Sequence, residues 1–422
     1  MVEPGFILKK SNRMIVIIGA GMAGLTCAKY LKDNGIEAVV LEASDGVGGR
    51  VRTDKINGFT LDHGFQVLLT SYPEAIRILD YDALKLKILP SGARIRMGDE
   101  YHVMPNPLKN WTNAPQALLA PVGNLWDKIK VLQLNINLRN ALDPTVAAPA
   151  QKQTTLEFLK EFGYSDTIIN RFFKPFFRGV FLEKDLNTES QFFKFLFSQF
   201  AKGNVVVPAN GMQAIPEQIA SYLSPNQIRL LTSVEKIEGK TVCLSNGETI
   251  TAETIVIATD AFAADRLLGR SQRTTYNSTD CLYFTCEIPF QLFDIPYLII
   301  NANQDELIHH IVDLSAFAPT YAPEGKVLIS VSLVGKNSFS EIELMEKVQK
   351  ELTQWFGKKY IWEHLRTYRI PEALPQYFEQ PSPNDSLKIN DFIYQCGDHT
   401  AYPSLNAAMK TGREVAEMIL HK

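Results

Sequence analysis

The feature that most constrains this 422-residue chain is a glycine-rich turn between two short apolar runs near its start. Residues 14–18 and 38–41 are apolar and rich in β-branched side chains, which predicts two buried parallel strands. Between them, residues 24–34 carry apolar side chains at helical spacing, and Gly35 is placed to end that helix. The pattern therefore predicts a βαβ unit whose first turn is rich in glycine.

Each residue of this turn suits the binding of a dinucleotide. Gly19 permits a sharp turn, Gly21 lets a pyrophosphate approach the backbone, and Gly24 lets the helix pack closely on the strand. The helix N-terminus offers free N–H groups, and Glu42, after the second strand, can accept hydrogen bonds from a ribose diol. Glycine turns also arise for packing reasons alone, but here strand, turn, helix, strand and acid follow the dinucleotide order. The predicted cofactor contacts in this unit are Gly19, Ala20, Gly21, Met22, Ala23, Gly24, Glu42 and Ala43.

A second pair of glycines follows in the stretch "EASDGVGGRVRT". A cofactor longer than NAD, with a ribityl chain and a flavin beyond the pyrophosphate, needs a second strip of closely approaching backbone. Gly48 and Gly49 provide that approach, and Arg50 can neutralise a phosphate. The alternative is a solvated glycine loop with a surface arginine.

Together, the glycine turn, Glu42, "GVGGR" and "DHGFQV" resemble the FAD-dependent superfamily of amine oxidases, protoporphyrinogen oxidases and phytoene desaturases. The resemblance implies that the Gly-Gly-Arg segment lines the flavin side of FAD. It also implies that Gly64, Phe65 and Gln66 are neighbours of the flavin ring. For Phe65 an ordinary core position is the alternative.

The C-terminal stretch agrees with this resemblance. Residues 392–396 form another short apolar run, and Gly397 and Asp398 follow at the strand end where ligands bind in open α/β sheets. Pro403 and Ser404 then open a helix that ends the chain in the way the superfamily does. The resemblance implies that the acid binds the ribityl or pyrophosphate region and that the helix N-terminus points at the flavin; a helix-capping role for the acid is the alternative. The predicted contacts here are Gly397, Asp398, Leu405, Asn406 and Met409.

A third segment lies between these two. Residues 226–260 predict strands around a hairpin turn at Asn246 and Gly247, and the resemblance places Val234 beside the adenine. The fold class is therefore α/β, with a Rossmann-like FAD-binding domain and a discontinuous α+β substrate domain. The predicted FAD-binding domain comprises residues 1–80, 203–272 and 386–422, and the predicted substrate domain comprises residues 81–202 and 273–385.

The predicted substrate domain has a helical part and a sheet. Residues 126–142, 156–162 and 166–173 have helical period, and two neighbouring stretches, "FFKPFFRGVFL" and "QFFKFLFSQF", are rich in phenylalanine. These rings predict either a packed core or the walls of an apolar tunnel. Alternating strands follow between residues 280 and 368, with an amphipathic helix at 343–356. His309 and His310 in this sheet are interpreted as an exposed or hydrogen-bonded pair, because no third ligand is spaced for a metal site.

Composition limits the binding partners and the cellular locations that the sequence predicts. A net charge of −3 with 21% charged residues is too mild to predict binding to nucleic acid or to an anionic membrane. Five scattered cysteines without a signal-peptide pattern predict unpaired thiols and a cytoplasmic protein. Residues 117–142 carry an apolar stripe that predicts either core packing or peripheral contact with a membrane.

Three functions stay open at this stage. The first is an FAD-dependent oxidoreductase in which flavin N5 takes a hydride from a bulky apolar substrate, such as an isoprenoid, a carotenoid precursor or a porphyrinogen. The second is an amine oxidase, although Ser404 stands where that family has a tyrosine and only the nearby Tyr402 could replace it. The third is a flavin-binding protein without turnover. The electron acceptor is dioxygen, a quinone or a redox protein, and the catalytic side chains beyond the flavin are unknown.

Overall fold

The computed structural model describes residues 14–106, 109, 114–146, 152–272, 274–287, 293–378 and 387–422. The strands are β1 (Ile15–Ile18), β2 (Ala38–Leu41), β3 (Thr53–Ile56), β4 (Phe59–Asp62), β5 (Leu68–Leu69), β6 (Lys87–Ile88), β7 (Gly92–Met97), β8 (Glu100–Pro105), β9 (Val205–Val207), β10 (Ile228–Arg229), β11 (Val234–Glu238), β12 (Thr241–Leu244), β13 (Thr249–Thr251), β14 (Thr254–Ile257), β15 (Tyr276–Thr285), β16 (Leu298–Asn301), β17 (His310–Asp313), β18 (Ile329–Val334), β19 (Glu363–Pro375) and β20 (Ile393–Gln395).

The α-helices occur singly or in groups between or after these strands. They are α1 (Met22–Asp33), α2 (Pro73–Ile78), α3 (Tyr81–Leu84), α4 (Ala114–Leu119), α5 (Leu125–Leu138), α6 (Thr155–Glu161), α7 (Asp166–Ile168), α8 (Lys174–Phe181), α9 (Ser190–Lys202), α10 (Ala214–Ser221), α11 (Ala261–Leu267), α12 (Leu314–Phe317), α13 (Glu341–Phe356) and α14 (Leu405–Leu420). A π-helical turn spans Ile169–Phe173, and short 3-10 turns span Pro225–Gln227, Pro319–Tyr321 and Asp398–Thr400.

A five-stranded parallel sheet positions the candidate site. Its order is β10-β2-β1-β14-β20, so it takes strands from three separate stretches of the chain. All four residues of β1 are buried, because α1 and α14 cover one face of this apolar sheet and β11–β13 cover the other. The predicted FAD-binding domain contains these three stretches; its exact boundaries stay a prediction, and the boundary at residues 385 and 386 lies outside the described residues.

The first helix begins two residues earlier than the sequence predicts. α1 starts at Met22 and therefore includes Gly24 in its first turn. A Cβ at Gly24 would lie 2.0 Å from the carbonyl oxygen of Gly19, so only glycine lets the helix start this close to the strand. The helix ends where expected, since Gly35 follows with a φ of +77°.

A seven-stranded mixed sheet forms the second layer, in the order β19-β15-β18-β17-β16-β7-β8. The predicted strands and covering helix are present, and the apolar stripe of α13 packs on the sheet through Leu344, Val348 and Leu352. His310 on β17 is buried against α8, and its Nε2 donates to the carbonyl of Pro175 at 2.7 Å. His309 is also buried and accepts a hydrogen bond from the backbone N–H of Val334 at 3.1 Å. The pair is therefore hydrogen-bonded to backbone rather than exposed.

The helical part differs from the sequence prediction in two places. The helix predicted at residues 126–142 ends at Leu138, and the chain then turns so that Asp143 can accept a hydrogen bond from Tyr402. The helix predicted at residues 166–173 is instead a short α-helical turn followed by a π-helical turn. The phenylalanines of α8 and α9 are mostly buried and pack on one another, as in the packed-core interpretation.

The part of the chain that the structure describes contains no helix that is both long and apolar enough to cross a bilayer.

Candidate cofactor site

The glycine turn after β1 is built as the sequence predicts. Gly19 has a φ of +106°, and a Cβ there would lie 2.7 Å from the carbonyl oxygen of Ala258, directly after β14. Gly21 differs, because a Cβ at this position would meet no heavy atom within 4 Å. The turn is thus packed tightly beneath Gly19 and open above Gly21, while Ala20, Met22 and Ala23 are buried around it.

No side chain among the described residues caps the first N–H groups of α1. Its N-cap is Gly21, which has no side chain to accept from them, and the first turn of this fully described helix carries no acid. The aligned peptide dipoles make this end electropositive, so it is suited to an anionic group.

Glu42 lies beside that turn at the end of β2. Its Oε2 accepts from the backbone N–H of Ala20 at 2.7 Å, and its Oε1 accepts from the N–H and the hydroxyl of Ser44 at 2.9 and 2.8 Å. These bonds fix the carboxylate against the glycine turn. Sequence reasoning missed Ser44, whose only signal was its place two residues after the acid.

Val234 and Ala43 lie in the same region. The backbone of Thr232 donates to the carbonyl of Glu42 at 2.7 Å, which brings the start of β11 beside the acid. Val234 is buried in the core behind it, whereas Ala43 is exposed. The structure therefore brings the predicted adenine and ribose contacts together.

The second glycine strip pairs with the first. The N–H of Gly48 donates to the carbonyl of Ala20 at 2.9 Å, and both Gly48 and Gly49 have positive φ angles, of +116° and +59°. Gly48 is buried and Gly49 is exposed beside the turn. The strip therefore extends the open backbone surface that begins at Gly21.

Arg50 joins the two ends of the chain. Its Nη2 donates to Oδ1 of Asp398 at 2.6 Å, and its Nη1 donates to the carbonyl of Ala373 at 2.9 Å. Burial alone would lower the pKa of the guanidinium, but the carboxylate of Asp398 outweighs it and the pKa is raised. Arg50 is therefore ion-paired with the buried Asp398, unlike the free surface arginine of the solvated-loop alternative, and a cofactor contact by Arg50 stays a prediction.

Asp398 is likewise not a helix cap. It is buried in the short turn after Gly397, whereas Ser404 caps α14 by accepting from the N–H of Ala407 at 3.0 Å. Gly397 has a φ of +155°, and its N–H donates to the hydroxyl of Thr411 on α14 at 3.0 Å. The end of β20, Asp398 and α14 are thus held together by these contacts.

His399, next to this acid, was not identified from the sequence. Both of its ring nitrogens are buried without a hydrogen-bond partner among the described residues. Burial lowers the pKa of the imidazole, so it is neutral. A neutral imidazole buried without partners needs a polar group from elsewhere, and it lies beside the Arg50–Asp398 pair. In the sequence, His399 could have been identified only by its position directly after Gly397 and Asp398.

The stretch "DHGFQV" meets Arg50 through its glutamine. Gln66 Nε2 donates to the carbonyls of Arg50 and His63 at 2.8 and 3.0 Å. Gly64 has a φ of +93° and lies under Ile370 of β19, while Phe65 is half-buried against the main core. The structure therefore places the predicted flavin neighbours next to the Gly-Gly-Arg segment.

The three cofactor contacts predicted at the start of α14 differ in their burial. Leu405 is half-buried at the helix N-terminus, but Asn406 and Met409 are buried. The side-chain oxygen of Asn406 accepts from the N–H of Glu74, and its side-chain nitrogen donates to the hydroxyl of Tyr402. The amide of Asn406 is thus used within the protein, and a cofactor contact by this residue stays a prediction.

A polar cluster lies beside the predicted flavin neighbours and was also missed. His63 Nε2 is 3.0 Å from Oδ2 of Asp54, and the hydroxyl of Tyr368 donates to the same oxygen at 2.8 Å. Burial would raise the pKa of Asp54, but the hydrogen bonds from Tyr368 and His63 outweigh it and the pKa is lowered. The carboxylate therefore stays charged and orients the imidazole, an arrangement that suits proton transfer.

These features fit one long dinucleotide. The open glycine turn and the uncapped helix suit a pyrophosphate, Glu42 suits a ribose, and the unpartnered nitrogens of His399 suit a further polar group near Asp398. No group of three or more histidine, cysteine, aspartate or glutamate side chains within the described ranges could hold a metal ion.

Comparison with known proteins gives one consistent result. The family model of flavin-containing amine oxidoreductases matches residues 22–420. Coproporphyrinogen III oxidase of Bacillus subtilis is 22% identical over 88% of this chain and 88% of its own length. The 15-cis-phytoene desaturase of Narcissus pseudonarcissus is 22% identical over 96% of this chain and 79% of its own length. A solved structure from Exiguobacterium sp. 255-15, provisionally named a protoporphyrinogen oxidase, superposes with a TM-score of 0.73 at 17% identity, covering 98% of this chain and 100% of its own.

Proposed function

This chain belongs to the flavin-containing amine oxidoreductase family, and on that basis we propose that it dehydrogenates a bulky apolar molecule. It is an FAD-dependent oxidoreductase with the Rossmann-like FAD-binding fold of its structural neighbours. The bound cofactor supplies the acceptor for a hydride. The substrate class we propose is an isoprenoid, a carotenoid precursor or a porphyrinogen.

The residues proposed to hold the cofactor follow from the site geometry. The N-terminus of α1 and the open backbone at Gly21 and Gly49 would bind the pyrophosphate. Glu42 would bind the adenosine ribose, and the Arg50–Asp398 pair would lie beside the chain that leads to the flavin. Gly64 and Phe65 would then border the flavin ring.

The observation that carries the substrate class is a continuous series of aromatic contacts. Ring centroids are 5.8 Å apart between Phe158 and Phe193, and 4.8 Å apart between Phe193 and Phe177. The series continues through Phe181 and Phe192 to Tyr402, with the last two rings 5.3 Å apart. Tyr402 lies two residues before the cap of α14, so this mostly buried aromatic series reaches from the packed core of the helical part towards the predicted flavin. We call this series the aromatic wall and propose that the substrate packs along it.

The charges around this wall support an apolar substrate over an amine. Asp143 accepts from the hydroxyl of Tyr402 and the N–H of Thr145, and Glu189 accepts from the first N–H groups of α9. Both acids are therefore committed to protein partners rather than available to a substrate ammonium. Tyr402, the one candidate to replace the missing tyrosine of the amine oxidases, is fully buried.

Anaerobic reduction of the flavin tests this proposal. Purified holoprotein is mixed with coproporphyrinogen III, with detergent-dispersed phytoene and with a panel of polyamines, and the flavin absorbance is followed. Bleaching by phytoene or by coproporphyrinogen III, and not by the polyamines, supports the proposal. Reoxidation by dioxygen or by an added quinone then identifies the acceptor. Bleaching by polyamines with release of hydrogen peroxide contradicts it and identifies an amine oxidase. Bleaching by light but by none of these compounds contradicts it in favour of a flavin-binding protein without turnover.

A matched pair of variants ties the activity to the aromatic wall. Phe192→Leu shortens the wall next to Tyr402, and Phe356→Leu makes the same change in the separate core of the mixed sheet. We expect Phe192→Leu to reduce the rate of flavin bleaching roughly tenfold or more, as for a displaced substrate, and Phe356→Leu to leave it within about twofold. Equal effects of the two changes would argue against the wall.

A further inference from the structure

A stripe of large apolar side chains on α5 faces solvent. Leu125, Ile129, Leu132 and Ile136 recur at helical spacing on one face, and each is exposed; Ile136 is 74% exposed. Trp126 beside them is 72% exposed. Such a contiguous exposed patch is unusual for a protein surface that contacts only water.

The other face of α5 is buried, so the helix is held in place with its stripe outward. Leu134 packs in the main core with the phenylalanines of α8 and α9. Asp127 accepts from the N–H and hydroxyl of Ser165 at 2.9 and 2.6 Å, and Asn124 caps the first turn. The exposure of the stripe is therefore a consequence of the fold and not of a detached helix.

The end of α4 continues the same surface. Lys128 Nζ donates to the carbonyl oxygens of Leu118 and Ala120, which ties the end of α4 to the first turns of α5. Leu118 and Leu119 are exposed there, Leu119 at 83%. We call the set Leu118, Leu119, Leu125, Trp126, Ile129, Leu132 and Ile136 the α4–α5 face.

The charges next to this face have one sign. Between residues 114 and 142 the cations are Lys128, Lys130 and Arg139, and the only acid is Asp127, which is 2% exposed and hydrogen-bonded. Lys128 and Lys130 are half-buried and each also donates to a backbone carbonyl, whereas Arg139 is exposed. The whole chain, by contrast, has a net charge of −3. The α4–α5 face is therefore a local basic and apolar surface on a mildly acidic protein.

We propose that the α4–α5 face docks on an anionic lipid bilayer, with its apolar side chains in the headgroup region. The exposed Arg139 and the remaining N–H groups of Lys128 and Lys130 would then meet the lipid phosphates. Apolar stripe, flanking cations and an exposed tryptophan are the features of helices that lie in this interface. A second copy of the chain is less suited, because a two-fold contact would bring the same cations together. The inference extends the proposed function, since an apolar substrate dissolves in a bilayer and α5 lies between that surface and the phenylalanine core.

Vesicle co-sedimentation of the flavin-loaded protein tests the docking without any substrate. Vesicles of phosphatidylcholine alone are compared with vesicles that also contain phosphatidylglycerol, at low and high salt. We expect binding to the anionic vesicles that weakens with salt, and little binding to the neutral ones. Equal binding to both kinds of vesicle, or binding to neither, overturns the proposal.

Matched variants locate the contact. Ile129→Gln and Ile136→Gln each remove one apolar side chain from the face, and we expect each to weaken vesicle binding roughly tenfold. Arg139→Ala is expected to weaken binding to anionic vesicles about fivefold. Ile342→Gln and Ile361→Gln, at exposed positions elsewhere, serve as controls that leave binding unchanged. Retained flavin absorbance shows that each variant is folded.

The docking proposal and the proposed substrate class can fail independently of each other. If detergent-dispersed apolar substrate bleaches the flavin but no variant of the α4–α5 face changes vesicle binding, the docking is wrong and the substrate class stands. If vesicles bind as expected while only polyamines bleach the flavin, the docking stands and the substrate class is wrong. If Ile129→Gln instead converts a dimer to a monomer in sedimentation velocity, without any vesicle binding by the parent protein, the face is a contact between copies and the proposal is overturned.

Discussion

Single side chains connect parts of the site that are far apart in the chain. Arg50 reaches from the second glycine strip to Asp398, 348 positions later, and to the carbonyl of Ala373 between them. Gln66 adds the flavin-side stretch by donating to the carbonyl of Arg50. Arg50 therefore joins its own segment to two others that are predicted to contact FAD, at Gln66 and at Asp398.

We expect Arg50→Ala to weaken FAD binding by roughly tenfold or more, because it removes a partly buried charge and leaves Asp398 unpaired. Flavin release on dilution, followed by its fluorescence, measures this change. Lys326→Ala breaks an exposed ion pair with Glu287 in the mixed-sheet region and is the control. Equal retention of FAD by the two variants would show that the Arg50–Asp398 pair has no part in cofactor binding.

The His63–Asp54 pair is expected to act in proton transfer rather than in cofactor binding. His63→Gln should lower the rate of flavin reduction by substrate by about a hundredfold, within the range for general acid–base groups, and leave the flavin spectrum and content unchanged. His102→Gln, which removes an imidazole paired with the exposed Glu100, is the control. A His63→Gln protein that reduces its flavin at the rate of the control excludes this role.

At the scale of elements, the close contact between α1 and α14 sets the shape of the site. A Cβ at Gly412 would lie 2.2 Å from the carbonyl oxygen of Ala23, so glycine is needed where the helices touch. The neighbours of Gly412 also have fixed partners: Thr411 bonds to Gly397, and Arg413 forms two hydrogen bonds with Glu74 of α2. The "TGR" run thus fixes α14 against the first turn of α1, the turn at Gly397 and α2.

Gly412→Ala should therefore destabilise the protein by about 1–3 kcal/mol, the usual cost of forcing extra volume into a packed contact. The midpoint of urea unfolding, with its slope, measures the change. Met418→Ala on the exposed side of the same helix should shift the free energy of unfolding by no more than about 0.5 kcal/mol. If both variants unfold at the midpoint of the parent protein, the α1–α14 contact is looser than the structure has it.

The contact between β17 and α8 should be sensitive to acid. Burial lowers the pKa of His310 to about 4 from its ordinary 6.5, partly opposed by its hydrogen bond to Pro175. The unfolded chain therefore binds a proton between these two values when the folded one does not, and folding stability falls as the pH falls through that window. For this buried group the loss is on the order of 3 kcal/mol.

Comparison with His310→Gln isolates this contribution, since glutamine keeps a neutral donor near Pro175 and does not titrate. The free energy of unfolding of the parent protein minus that of the variant should decrease as the pH is lowered from about 6.5 to about 4. A difference that stays constant over this range would mean that His310 is not buried as a neutral base.

At the scale of the whole molecule, the mixed sheet meets the N-terminal cofactor segments along β19. This edge strand of the mixed sheet places Tyr368 against Asp54, Ile370 over Gly64 and Ala373 against Arg50. The substrate-side sheet therefore runs along the predicted flavin side of the cofactor segments. Because the parallel sheet is itself assembled from three separate stretches, a ligand that contacts all of them should stabilise the entire chain.

FAD added to protein stripped of its cofactor should raise the unfolding temperature by several degrees, equivalent to about 4 kcal/mol at a thousand times its dissociation constant. Riboflavin lacks the pyrophosphate and the adenosine, so it should leave the glycine turn and Glu42 unoccupied and raise the temperature far less. A scanning-calorimetry series with both ligands measures the contrast. Equal shifts would place the main binding energy at the flavin alone.

Local pattern was sufficient for the features of this protein that depend on neighbouring residues. The βαβ unit, the glycine turn with Glu42, the strand before Gly397 and the stripe of α13 all follow from side-chain periodicity and backbone freedom, which act over a few residues. The start of α1 at Met22 and the end of α5 at Leu138 could not be predicted from local pattern. The contact of Gly24 with Gly19 decides the first, and the hydrogen bond between Tyr402 and Asp143 decides the second. The pairing of Arg50 with Asp398, the unpartnered imidazole of His399 and the outward stripe of α5 were decided only by tertiary structure. Each depends on which distant elements pack together, and a long-range contact leaves no periodic signal in the residues that make it.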